Sequence, residues 1–176
     1  DIAGKGDYGF NEAAFVGLSK AKTDFGVDTK ELAATEELEA TGEYYVQYEQ
    51  VLIRLAEDGC NPIIAVGFAY SDALALVAPK FPEKTFAIVD SVAEGPNVGS
   101  LLFNTEQGSY LTGVIAATAS KSGVIGFIGG IEFPVIQSFE NGYIEGARSV
   151  NPTIKYESVY IGSFNAPEKA ENATES

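Results

Sequence analysis

Thr85-Phe-Ala-Ile-Val-Asp90 and its counterpart Pro62-Ile-Ile-Ala-Val-Gly67 decide how this chain folds. Each is a short continuous apolar run bounded by turn residues, the pattern of a strand buried on both faces of a parallel sheet. Residues 98–103 form a third such run, and 124–128 and 155–161 read as further strands. Helical stretches alternate with them. The first, 13–24, carries Ala13, Ala14, Val16 and Leu18 and stops at Gly26; the second, 43–57, places Tyr45, Tyr48, Val51, Leu52 and Leu55 at three- and four-residue steps. Others are expected over 71–78, 106–119 and 135–150, with a short strand over 31–35 and a helix start in the last dozen residues.

Strands alternating with helices of this length imply parallel sheets with helices on both faces. Right-handed crossovers then bring every loop that follows a strand to one edge, and ligands of such sheets sit outside the strands' carboxyl ends. The loops to watch are therefore 1–11, 67–71, 90–92, 129–133 and 162–165.

Composition narrows the chemistry. The 176 residues are 45% hydrophobic and 20% charged, an ordinary globular balance. A net charge of −14 with only 11 Lys and Arg argues against nucleic acid as a partner. The absence of His and the single Cys60 leave no zinc site of the usual kinds, no Ser-His-Asp or Cys-His pair and no internal disulfide. Cys60, after Gly59 at the end of a helix, reads as a core thiol. No apolar stretch reaches the roughly 18 residues of a membrane span, and no metal ligand set or cofactor is called for.

Asp1-Ile-Ala-Gly-Lys-Gly-Asp-Tyr-Gly-Phe-Asn11 gathers two carboxylates, three glycines and two rings just before a helix. Two readings stand: a ligand-gripping loop, or a glycine-rich turn whose polar residues cap the helix. Gly4-Lys-Gly-Asp-Tyr-Gly9 matches the dinucleotide pattern G-x-G-x-x-G, but no strand precedes it in this sequence and Asp7 opposes a pyrophosphate. A neutral guest suits this lining better. Asp90, at a strand end, can accept charge-assisted hydrogen bonds from the two adjacent hydroxyls of a sugar, or it can serve as a turn residue. Phe10 and Phe164 can each offer a face to a planar base, or pack in a core. An uncharged nucleoside fits such a set.

The opening segment, followed by Ala14-Phe-Val-Gly-Leu18, resembles the start of the basic membrane protein family, substrate-binding lipoproteins of ABC importers. Further matches follow in that family's order: Phe86-Ala-Ile-Val-Asp90, Asn97-Val-Gly-Ser-Leu-Leu-Phe103, Glu106-Gln-Gly-Ser-Tyr-Leu-Thr-Gly113, Gly126-Phe-Ile-Gly-Gly130, Phe139-Glu-Asn-Gly-Tyr-Ile-Glu-Gly146 and Gly162-Ser-Phe-Asn165. The resemblance implies an α/β, type I periplasmic-binding-protein-like fold. Each of its two lobes has a mostly parallel sheet flanked by helices, and this chain carries a partial copy. Residues 1–103 correspond to the first lobe without its first strand and return segment, and 104–176 to part of the second. The family has a strand just before the position of Asp1, and roughly its last third to half follows the position of Ser176, including ribose contacts.

By position, the resemblance makes Asp1 and Asn11 base-contacting polar groups, Phe10 one stacking ring, Phe164 the opposite ring and Asp90 the acceptor of the ribose diol. Asp7 shapes the loop or assists the base contacts. It implies an extracytoplasmic monomer, lipid-anchored through a segment outside this sequence, that captures a purine nucleoside without catalysis and hands it to an ABC permease in the membrane. Three alternatives are a receptor for another planar ligand such as a flavin, a ligand-sensing domain of the same fold, and an enzyme using Asp1, Asp7 and Asp90 as acid and base. The sensing domain is disfavoured by the lack of a basic DNA-binding segment.

Overall fold

In the computed structural model, which describes residues 9–33, 44–164 and 166–174, the apolar runs are parallel strands. The chain divides into two compact units, 1–102 and 103–176.

The first unit holds β1 (Ile63–Val66), β2 (Phe86–Val89) and β3 (Val98–Leu101) in the order β1-β2-β3, with Ile63, Phe86 and Val98 abreast. Two helices cover one face of this sheet. Tyr48, Leu52 and Ala56 of α2 (Tyr44–Glu57) and Ala73, Leu74 and Val77 of α3 (Ser71–Val77) bury Ile63, Ala65, Phe86 and Ile88. Full burial of a side chain the size of Phe86 or Leu52 contributes about 1.5–3 kcal/mol each. Cys60 is half-buried against this core, as its place between α2 and β1 suggests.

The opposite face departs from the expectation of a sheet buried on both sides. Ile64 is 53% exposed and Leu101 52% exposed, because α2 and α3 both pack on the other side. α1 (Phe10–Phe25) approaches β1 but buries none of its own residues. It ends as its sequence suggests, at Gly26 in the left-handed region (φ 65°), whose N–H returns to the Lys22 carbonyl at 3.0 Å. Residues 31–33 form no strand, and the rest of that expected strand lies outside the described residues. The Asp58 carboxylate ties Lys30 to Arg54, fastening the segment after α1 to the end of α2. The Asn97 amide nitrogen donates to the carbonyls of Ala78, Phe81 and Lys84 at 2.9–3.1 Å, fixing the turn that enters β2.

The second unit runs α4 (Thr105–Ala119), β4 (Val124–Gly129), α5 (Pro134–Val150), β5 (Lys155–Tyr160) and α6 (Pro167–Thr174), with β4 and β5 parallel. Its helices meet through glycine. A Cβ on Gly113 would strike the carbonyl of Tyr143, one on Gly142 that of Glu106 and one on Gly146 that of Tyr110, with the carbonyl carbons only 2.7–2.9 Å away. Backbone therefore lies on backbone along α4 and α5, and Ser109 Oγ donates across the crossing to the Phe139 carbonyl at 2.5 Å. The buried cluster is small: Ala117, Ile125, Ala147 and Ile154, with Tyr143 and Tyr156 against it.

Candidate functional site

Asp1 and Asp7 lie outside the described residues. Phe10 and Asn11 open α1 directly after Gly9; Phe10 is 40% exposed and Asn11 half-buried. Their backbone position follows from the helix start, where the Ala13 N–H closes the first turn on the Gly9 carbonyl at 3.0 Å.

Asp90 follows β2 directly. Its N–H continues the ladder to the Leu101 carbonyl at 2.9 Å, while its own φ of 65° is the sole left-handed value at a described residue other than glycine. Asp tolerates that region better than most residues, yet the conformation is uncommon and clusters at binding sites. Among the described residues nothing hydrogen-bonds its carboxylate, and burial pushes that carboxyl above the usual carboxylate range. A half-buried acceptor with no protein donor is suited to neutral hydroxyl donors. The neighbouring loops are tied together: Ser71 Oγ donates to the Phe68 carbonyl at 2.7 Å and meets Ser91 Oγ at 2.7 Å, and Ser100 Oγ accepts the Ala93 N–H at 3.2 Å. These hydroxyls tie the chain that follows Asp90 to the loop after β1 and to β3.

In the second unit a cavity of about 480 Å³ runs along β4. Ser109 and Thr112 of α4, Phe139 and Tyr143 of α5, Phe127 of β4 and Phe164 supply much of its wall. The wall is mostly apolar and uncharged. Ser109 already donates to Phe139, and Thr112 Oγ1 donates to the Ser109 carbonyl at 2.6 Å, so its hydroxyls serve the helices first. Phe164 is 42% exposed at this wall. It is an expected ligand residue that lines this cavity, whereas Phe10, Asn11 and Asp90 belong to the first unit.

Two features escaped the sequence reading. Ser109, Thr112 and Tyr143 fall within blocks that carry the resemblance, but their convergence on one wall needs two helices, α4 and α5, to be placed together. Glu140 on α5 accepts from Tyr156 Oη and Tyr160 Oη of β5, each at 2.5 Å. Burial works against this carboxylate, yet the hydrogen bonds from Tyr156, Tyr160 and Ser158 together hold it below its ordinary range. Burial and the Glu140 bond push the Tyr160 hydroxyl up to about 12 and the Tyr156 hydroxyl higher still, so both stay protonated donors. This cluster fastens β5 to α5. Among the described residues there is no grouping of acidic or sulfur side chains able to hold a metal, and no helix long and apolar enough to cross a membrane.

Comparison with known proteins gives a consistent answer. The chain is 39% identical over 163 residues to basic membrane protein A2 of Borrelia garinii subsp. bavariensis, covering 90% of this chain and 46% of that protein. It is 34% identical to the ABC transporter nucleoside-binding protein BmpA of Lactococcus lactis subsp. cremoris, covering 94% of this chain and 46% of the relative. A solved ABC transporter solute-binding protein from Aeropyrum pernix K1 superposes with a TM-score of 0.79 at 27% identity, over 98% of this chain and 48% of the other. The chain thus spans about half the length of the curated relatives it matches. Its α/β architecture of parallel sheets and helices is the periplasmic-binding-protein-like fold of these solute-binding proteins. Since the family model described as "ABC transporter substrate-binding protein PnrA-like" matches residues 3–176, the chain belongs to that family.

Proposed function

We propose that the protein containing this chain captures a purine nucleoside outside the cytoplasm and presents it to an ABC importer, binding without catalysis. The observation that carries this reading is Asp90: a half-buried carboxylate in a left-handed conformation at a strand's carboxyl end, with no protein donor among the described residues. A sugar diol supplies two neutral donors to such a group. Membership in a substrate-binding family, and a relative named for nucleoside binding, support the same ligand class.

In this reading Phe10 and Phe164 each stack on the base, and Asp1, Asn11 and Asp7 serve its polar edge. The ligand drives the switch: it stabilises a closed conformation, and the permease selects that conformation. Residues 1–103 and 104–176 belong to separate lobes, the protein acts as a monomer, and a lipid anchor holds it at the membrane. Calorimetric titration of the intact protein with adenosine, guanosine, inosine and cytidine tests the proposal. Saturable binding of a purine nucleoside is expected, weakened by about 1–3 kcal/mol in Phe10→Ala. Binding of a flavin with no response to any nucleoside contradicts it, as does release of free base from inosine.

A further inference from the structure

We infer that Gly130 is the positioning residue for the Phe164 ring, so that a missing side chain in one loop sets the orientation of an aromatic wall supplied by another; the ring's role as a ligand contact rests on the function proposed above. Gly130 follows β4, and its carbonyl accepts two N–H groups from the loop after β5: Gly162 at 2.7 Å and Ser163 at 3.2 Å. The adjacent Gly129 carbonyl accepts the Ile161 N–H at 3.0 Å, which continues the ladder up to that loop. Gly162 has φ 76°, a left-handed conformation that side chains disfavour, and it lets the chain turn while Gly130 holds it.

The turn brings Phe164 back onto Gly130. A Cβ placed on Gly130 would lie 3.1 Å from Phe164 Cγ and closer still to Cδ1 and Cε1, so the ring occupies the space a side chain would take. Gly129 repeats the arrangement next door, where a Cβ would come within 2.6 Å of the Tyr160 ring. Gly130 itself is not in the left-handed region, so alanine is conformationally acceptable there and the obstacle is the ring. Phe164 lines the cavity beside β4 from this seat. A methyl group at 130 displaces the ring from the wall without altering any polar group.

Two measurements on the intact protein test this. The first needs no ligand: NMR of the wild type should show the Gly130 Hα protons shifted upfield by the Phe164 ring current, and Phe164→Ala should abolish the shift while leaving the fold's other resonances in place. The second is a double-mutant cycle read by adenosine titration. Gly130→Ala should weaken binding on the order of tenfold, similar to Phe164→Ala, and should add nothing in the Phe164→Ala background. A Gly130 Hα shift indifferent to Phe164→Ala overturns the seat. Additive losses in the cycle, or a Gly130→Ala protein that binds as the wild type does, overturn the positioning role while leaving nucleoside binding intact. A wild type that binds no nucleoside overturns the function and the ligand role of the ring, and the ring-current comparison still decides the seat.

Discussion

The first unit is held by volume and the second by the lack of it. Around β1 and β2, Phe86, Leu52, Ile63, Leu74, Ile88 and Val77 are almost wholly buried, so stability there comes from large apolar side chains interlocking. Between α4 and α5 the contact is made by Gly113, Gly142 and Gly146 against carbonyl groups of the facing helix, over a core whose members include two alanines. The two units should therefore respond in opposite ways to a change of side-chain size. Loss of atoms damages the first, and gain of atoms damages the second.

The largest effect is expected in the first unit. Phe86→Ala empties a fully buried site and should destabilise by about 3–5 kcal/mol in denaturant unfolding of the intact protein. Gly146→Ala should come next. Its methyl group would meet the Tyr110 carbonyl, a backbone group that cannot swing aside, so a loss of about 1–3 kcal/mol or more is expected from overpacking. Gly108→Ala, on the same helix as Tyr110, sharpens the contrast. Nothing lies within 4 Å of a Cβ there, so the substitution should stabilise by up to about 1 kcal/mol through helix propensity alone. If Gly108→Ala and Gly146→Ala cost the same, the close crossing of α4 and α5 is not what holds the second unit.

The sequence made this architecture legible where the signal is local. Runs such as Phe86-Ala-Ile-Val are apolar throughout and bounded by turn residues, so β2 is visible without its neighbours. What such a run cannot show is which face is covered: Ile64 and Leu101 are as apolar as Ile63, yet half exposed, because burial depends on where α2 and α3 pack. The spacing of Gly142 and Gly146 is plain in the sequence, but their partners are carbonyls in a different helix. Asp90 was legible as a strand-end carboxylate; its left-handed backbone and, among the described residues, its lack of a protein donor are products of the folded loop. The cavity was not legible at all, since Thr112, Phe127, Tyr143 and Phe164 come from three elements and a loop.

The central claim is that Asp90 recognises a ribose diol, and the most direct measurement compares adenosine with 2′-deoxyadenosine on the wild type and on Asp90→Asn. Asn keeps the size of the side chain and tolerates the left-handed backbone, so the comparison isolates the carboxylate. The account predicts that the wild type prefers the ribonucleoside on the order of tenfold or more, the worth of a hydrogen bond to a charged group, and that Asp90→Asn removes most of this margin. An unchanged preference in Asp90→Asn, or none in the wild type, contradicts it.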